Sequence, residues 1–379
     1  MLVGFGAMAR TRTLLPLLTD PATPARAVSV CCLEQGEIEF QKIVLPWFSE
    51  RGLPPPRYTP TPADALTLSP APAAAVINTP NAMHASQVEQ CLDAGVHVFV
   101  DRPIMLHSDD LPRLVERAAQ ANLLLFTGVQ RRLETHFQHA YESVARQCDF
   151  GDLDTIRCVL AVGERPSSWR ARHALVGGGV VIGTGYHLLD FAAWVAASRG
   201  ERFGARAAGQ VRFSAEHWMS PDVDPEIESS ALGWVRSEGG VTISFDLSFS
   251  APVGSVFELV DLRDRSGSRI SICRDQRMRS RNPGHITHQR ADGSVVTKHY
   301  NGAKITLSDA LLPGDAQESR PLSDFVGKCA SGGSLAEEHP CSGKASVPTW
   351  ELVGRIYDLA KWQRRNAHVP TNGVRAGTP

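Results

Sequence analysis

Lysine is nearly missing from this chain, with six residues in 379 against 33 arginines. Together with abundant Ala, Gly and Pro, that bias suggests a high-GC coding sequence, and it matters wherever an arginine stands at a reactive position. An excess of one charge is missing too. The 39 Lys and Arg balance 40 Asp and Glu for a formal net charge of -1, which argues against a nucleic-acid or membrane-surface protein. No apolar run approaches the roughly 18 residues of a spanning helix. No basic segment followed by an apolar stretch opens the chain as a secretory signal would. The eight cysteines, at 31, 32, 91, 148, 158, 273, 329 and 341, form no C-x-x-C pair. A disulfide framework or a metal site is not expected, and free thiols in a reducing cytoplasm are.

What is there suits two globular domains, because 379 residues exceed the usual single core. The first third alternates short apolar runs with helical patterns, the mark of β-α-β units and a parallel sheet. Strands are expected at Leu2–Val3, Ala27–Leu33, Ala73–Asn78, Val96–Val100 and Leu123–Thr127. Helices are expected through Leu18, at Ala85–Ala94, and at Ser108–Ala121 with Ser108 as N-cap. Pro54–Pro62 reads as a surface loop. Beyond residue 127, strands follow one another at Ile156–Val162, Ala207–Phe213, Ser229–Ser237, Gly240–Ser250, Ser255–Asp261 and Arg269–Cys273, which implies a largely antiparallel sheet. One helix, Gly178–Ala197, interrupts them. Ser280–Gly302 reads as a long hairpin or loop, Trp350–Gln363 as a last amphipathic helix. The expected division is a Rossmann domain over 1–127, an α+β substrate domain over 128–365 and a disordered tail over 366–379.

Gly4-Phe5-Gly6-Ala7-Met8-Ala9 lies between a strand and a helix. There the first glycine allows the tight turn, the second lets backbone approach a pyrophosphate, and the small third position allows close helix packing. Only three residues precede Gly4, where a strand wants about five, and a start upstream of Met1 would complete it. At the end of the second strand, Glu34 could accept the ribose hydroxyls of NAD, or stand as a solvated loop acid. The uncharged Cys32 would leave room for the 2′-phosphate of NADP. Either cofactor is compatible.

Three further motifs complete a pattern. They are Thr79-Pro80-Asn81-x-x-His84, Asp101-Arg102-Pro103, and Gly177-Gly178-Gly179 followed by Gly183-x-Gly185-Tyr186-His187-x-x-Asp190. With Gly151-Asp152-Leu153 and Arg355-Ile356-Tyr357, this order resembles the Gfo/Idh/MocA oxidoreductases. The resemblance implies a Rossmann domain followed by an open sheet whose free face makes a homodimer or homotetramer. It also implies a sugar, keto-sugar or cyclic polyol bound between the domains, next to NAD or NADP. Thr79, Pro80, Asn81, His84 and Asp101 would lie beside the cofactor, with Asn81 capping the following helix and Asp101 bonding to backbone in its turn.

Two positions depart from the family pattern. Where the family has a Lys that contacts both substrate oxygen and the nicotinamide ribose, this chain has Arg102, whose pKa above about 12 lets it hold an oxyanion beside the cofactor but not exchange protons. Where the family has an Asp one helical turn before the His, this chain has Gly183, which leaves a hole. The proton donor is then His187, with an ordinary pKa near 6.5, or Tyr186, if nearby Arg102 lowers its pKa of about 10. Asp190 either orients His187 or faces solvent. Trp169, Arg170 and Thr184 line a sugar pocket, or Trp169 and Arg170 form an exposed loop pair. The expected reaction is hydride transfer to or from a carbonyl or secondary alcohol. A redox-neutral lyase, epimerase or glycosidase with tightly held NAD, and a non-catalytic dinucleotide sensor, are the alternatives.

Overall fold

The computed structural model describes residues 1–6, 10, 18, 25–31, 36–146, 150–215, 222–275, 284–299, 316–332 and 339–360. Ala7, Met8, Cys32, Glu34 and the tail 366–379 lie outside the described residues, as does most of the helix expected through Leu18.

Six short strands form the first sheet: β1 (Leu2–Val3), β2 (Ser29–Cys31), β3 (Arg57–Thr59), β4 (Ala74–Ile77), β5 (His97–Val100) and β6 (Leu125–Thr127). Every pairing is parallel and the order is β3-β2-β1-β4-β5-β6. The order reverses at β1, which opens a crevice at the strand C-termini between β1 and β4. Both faces are covered, so the central strands read as unbroken apolar runs. Val3, Ile77, Val98 and Val100 share a cluster with Val88, Cys91 and Leu92 of helix α1 (His84–Asp93) and with Leu111, Leu114 and Ala118 of helix α2 (Leu111–Gln120). Leu2, Val30, Val76, Phe99 and Phe126 face the other way and meet Phe5, Phe40, Trp47 and Phe48.

Two expectations fail locally here. The Pro54–Pro62 segment contains β3, which pairs with β2 at the sheet edge, where a strand tolerates flanking prolines. Helix α2 is capped two residues later than expected. Asp110 is its N-cap, accepting from Arg113 N–H, with Pro112 in the first turn.

Eight strands form the second sheet: β7 (Leu153–Val162), β8 (Ala208–Ser214), β9 (Ser230–Arg236), β10 (Thr242–Ser248), β11 (Val256–Asp264), β12 (Arg269–Asp275), β13 (His285–Gln289) and β14 (Val295–His299). Their order is β14-β13-β12-β11-β7-β10-β9-β8, antiparallel throughout except where β10 runs parallel to β7. The polar 280–302 segment is thus partly a hairpin, β13 to β14. One face of this sheet is covered. Ile243, Phe245 and Leu247 of β10 point into a core shared with helices α3 (Thr135–Ala145) and α4 (Tyr186–Ala197). Eleven of the twelve residues of α4 are buried, which is why its sequence is apolar all round. On the opposite face Leu232 and Trp234 of β9 remain exposed.

Four helices differ from expectation. Helix α3 is not in the strand-rich reading. Helix α4 begins at Tyr186 instead of Gly178, because Gly177 is left-handed and 180–185 form turns. Helix α5 (Ala316–Ala330) is additional, and α6 (Gly343–Ala360) starts seven residues before Trp350. The chain end also returns to the first sheet: Thr127 N–H donates to the Cys341 carbonyl at 2.9 Å, and Phe126 bridges to Ser342.

Between the sheets, the turn Gln130–Leu133 carries two adjacent buried arginines. Arg131 pairs with Glu134 at 2.8 Å and with Glu258 of β11 at 2.7 Å. Arg132 points elsewhere, into a bidentate pair with Asp190 of α4 (2.6 and 2.8 Å) and onto the carbonyls of Pro340 and Ala345 (2.7 and 2.9 Å).

Candidate active site

The turn after β1 sits at the topological switch point. Gly4 has φ +83°, and a Cβ there would come within 2.6 Å of the Asn78 carbonyl, so only glycine fits. Gly6 differs: a Cβ there would meet no described atom within 4 Å. That glycine leaves space above the turn, where a ligand backbone could approach. The Phe5 ring is buried against Trp47 and Phe48, with centroids at 5.5 and 6.0 Å, so only its main chain faces the crevice.

Beyond β4, Thr79 Oγ1 donates to Gln87 Oε1 at 2.6 Å. Asn81 does not cap the following helix. Its Nδ2 donates to the Val176 carbonyl at 2.9 Å, which joins the first sheet's loop to the segment ahead of the Gly-rich motif. His84 is fully buried between two carbonyls, with Nδ1 at 2.9 Å from Pro103 O and Nε2 at 3.0 Å from Thr79 O. Burial pulls its pKa down against both carbonyls and against Asp101 and Asp109. It acts as a brace between the loops after β4 and β5.

The loop after β5 carries Arg102. Asp101 Oδ1 accepts from Arg102 N–H at 2.8 Å, fixing the turn, as its position before Arg-Pro suggested. The Arg102 guanidinium donates through Nη1 to the Gly183 carbonyl at 3.1 Å. Burial and the nearby Arg170 lower its pKa, while Asp101, Glu164 and Tyr186 oppose them. An arginine stays charged through such a shift.

The Gly177-Gly178-Gly179 triplet is explained by packing. A Cβ on Gly178 would overlap Tyr357 Oη, and one on Gly179 would overlap the Glu228 carbonyl. From there the chain passes Gly183 and enters α4. Tyr186 is buried, and its oxygen accepts from Ile104 N–H. Burial and Asp190 push its pKa well above the ordinary value, outweighing Arg132, Arg102 and the Ile104 bond. The expected lowering by Arg102 is reversed. His187 is buried on the same first turn, with its N–H on the Thr184 carbonyl at 3.3 Å. Asp190 neither orients His187 nor faces solvent: both of its oxygens bond Arg132, and Thr349 adds a further bond at 2.8 Å.

Opposite Arg102, Thr184 Oγ1 donates to Glu164 Oε2 at 2.9 Å. Trp169 and Arg170 are half-buried, with the guanidinium 5.2 Å from its neighbour's ring, and Arg170 lies near enough to Arg102 to act on its charge. Gln87, Glu164, Arg132 and Glu228 were not singled out from the sequence; Glu164, two residues past a long strand, was the one with a positional signal. Among the described residues no cluster of His, Cys, Asp and Glu could hold a metal ion. No described helix is long and apolar enough to cross a membrane.

A family model described as an oxidoreductase family with an NAD-binding Rossmann fold matches residues 1–129, and its C-terminal companion matches 137–272. The chain is 26% identical over 168 residues to a myo-inositol 2-dehydrogenase of Thermotoga maritima, covering 43% of this chain and 48% of that one. It is 24% identical over 283 residues to a 1,5-anhydro-D-fructose reductase of Ensifer adhaerens, covering 73% and 80%. In three dimensions it superposes on an aldose-aldose oxidoreductase of Caulobacter crescentus with a TM-score of 0.70 at 18% identity, over 96% of this chain and 97% of the other.

Proposed function

The chain belongs to the Gfo/Idh/MocA oxidoreductase family, and from that premise we propose that it passes hydride between NAD or NADP and a carbonyl or secondary alcohol of a sugar, keto-sugar or cyclic polyol. The observation that carries this reading is the convergence of two loops from different sheets. Arg102, at the end of a strand in the parallel sheet, meets Gly183 at the entry to α4, on the side of the crevice where the Gly4–Gly6 turn opens.

Bound there, the dinucleotide would supply or accept the hydride. The main chain of Gly4–Met8 would cradle its diphosphate, Thr79, Pro80, Asn81 and His84 would shape the wall beside it, and Glu34 would reach the ribose. Arg102 would hold the substrate oxygen as charge develops, a contact stronger in the transition state than in the ground state. His187 would exchange the proton. Tyr186 stays protonated and supports the Arg102 loop through Ile104. Trp169, Arg170, Thr184 and Glu164 would contact the sugar hydroxyls.

We place the boundary between cofactor and substrate domains at 127/128, the protein in the cytoplasm, and a homodimer or homotetramer contact on the exposed sheet face around Leu232 and Trp234. Sedimentation of a Leu232→Glu variant at a lower mass than the unsubstituted chain would support that contact; unchanged mass would remove it. The reaction itself is tested by titrating NAD and NADP in a calorimeter. A panel of aldoses, keto-sugars and inositols is then followed in the reduced-nicotinamide absorbance band. Binding of neither dinucleotide overturns the proposal. Binding with turnover of none of the panel favours a sensor.

A further inference from the structure

Glu228 lies just before β9 and is fully buried, yet the chemistry above makes no use of it. Its main-chain carbonyl accepts from Val180 N–H at 3.0 Å. Its Oε1 accepts from Val181 N–H at 3.1 Å and from Tyr357 Oη at 2.9 Å. Its Oε2 has no hydrogen-bond partner among the described residues. One residue therefore grips the Gly-rich segment twice, and Gly178 and Gly179 lack side chains where Tyr357 and Glu228 need the space. Four residues past Gly179 stands Gly183, whose N–H is fixed on the Gly179 carbonyl at 2.8 Å and whose own carbonyl holds Arg102.

We propose that Glu228 is a positioning residue for Arg102: its carboxyl sets the 179–183 backbone and, through the Gly183 carbonyl, the place of the guanidinium. The relay has a reason in this chain. With no carboxylate at 183, Arg102 depends on a main-chain oxygen, and that oxygen is only as well placed as the segment that carries it. The carboxyl faces the Tyr357 hydroxyl from α6, backbone N–H groups of Gly179 and Val181 from the Gly-rich segment, and its own N–H. His107 stacks on the Tyr357 ring, centroids 4.5 Å apart. Burial, against these neighbouring groups, pushes the Glu228 pKa up to about 7. A charged carboxylate accepts both bonds more strongly than a neutral acid, so the grip tightens as pH rises through neutrality.

The role of Arg102 in turnover rests on the function proposed above, but the coupling can be read without cofactor or substrate. The full-length protein is labelled with carboxyl-13C glutamate and 15N arginine and titrated through neutrality by NMR. Glu228→Gln identifies the carboxyl signal and Arg102→Lys the guanidinium signal. The Arg102 signal is expected to move with the Glu228 midpoint in the unsubstituted protein and to stay flat in Glu228→Gln. Tyr357→Phe, which removes one donor, is expected to raise that midpoint. An Arg102 signal that superposes in the unsubstituted protein and in Glu228→Gln at every pH overturns the proposal. Should Glu228→Gln fail to fold, a carboxyl midpoint that moves in Tyr357→Phe while the Arg102 signal keeps its original transition overturns it equally. On a substrate found by the panel, Glu228→Gln should lower kcat about tenfold on the alkaline side and leave it unchanged on the acid side, with KM for the dinucleotide unaltered. A protein that bound neither dinucleotide would sink the function and leave the NMR result standing.

Discussion

Arg102 donates to the main-chain carbonyl of Gly183, and these are the two positions at which the chain departs from its family's pattern. The departures therefore meet in one arrangement, a guanidinium resting on a backbone oxygen. Arg102→Ala is expected to lower kcat by about 10²–10³-fold while leaving the unfolding midpoint near its original value. Gly183→Asp alone should also impair turnover, because its Cβ would sit 3.0 Å from the Gly179 carbonyl and its carboxylate would draw Arg102 away from substrate. Arg102→Lys with Gly183→Asp should recover more activity than either single change. Steady-state kinetics of the four proteins settles the coupling, and simple additivity would refute it.

Gly4 and Gly6 separate folding from ligand binding. Gly4→Ala strains a φ of +83° and crowds Asn78, so it should destabilise the protein with or without cofactor. Gly6→Ala meets no described atom and should melt like the original when no dinucleotide is present. At about 100 times Kd, dinucleotide should stabilise the original by about 2.7 kcal/mol and Gly6→Ala by much less. Equal thermal shifts would move the diphosphate away from this turn.

Asp190→Ala removes one half of a buried bidentate ion pair and strands Arg132 in the interior. The expected loss is about 3–5 kcal/mol in denaturant unfolding. A loss below about 1 kcal/mol, with a changed pH profile of turnover instead, would return Asp190 to the role of orienting His187.

His136 is half-buried beside Arg131 and Arg274, which with its loss of water lower its pKa to about 3. Glu134 lies 3.4 Å from its Nε2, but that carboxylate already faces both arginines. The unfolded chain takes up this proton near pH 6.5 and the folded one does not, so folded stability falls as pH drops below about 6.5. His136→Gln should flatten that part of the stability curve, measured by urea unfolding at successive pH values. An unchanged slope would show that His136 is protonated in the fold.

Much of this was legible in advance because short-range rules govern it. Unbroken apolar runs gave the parallel strands, and strands following one another without helices between them gave the largely antiparallel sheet. Gly4 marked the turn because no other residue fits beside Asn78. The failures have physical causes as well. Ser108 and Asp110 are both good caps, and only the proline at 112 tells them apart. Asp190 lies on a helix face that looks inward, and its partner Arg132 is 58 positions away in sequence. The same distance hid the reason for Gly178 and Gly179, whose neighbours Tyr357 and Glu228 come from other elements. Tyr186 shows the limit of reading charges without burial: Arg102 is nearby as expected, but loss of water decides the sign.

Arg131 and Arg132 are consecutive, yet each is anchored in a separate ionic network, one in the large sheet and the other between α4 and the start of α6. The connection between the two sheets is thus a riveted joint. Bending it would pull two guanidiniums from their counter-ions at once, which holds the Gln130–Leu133 turn in one geometry against β11 and α4.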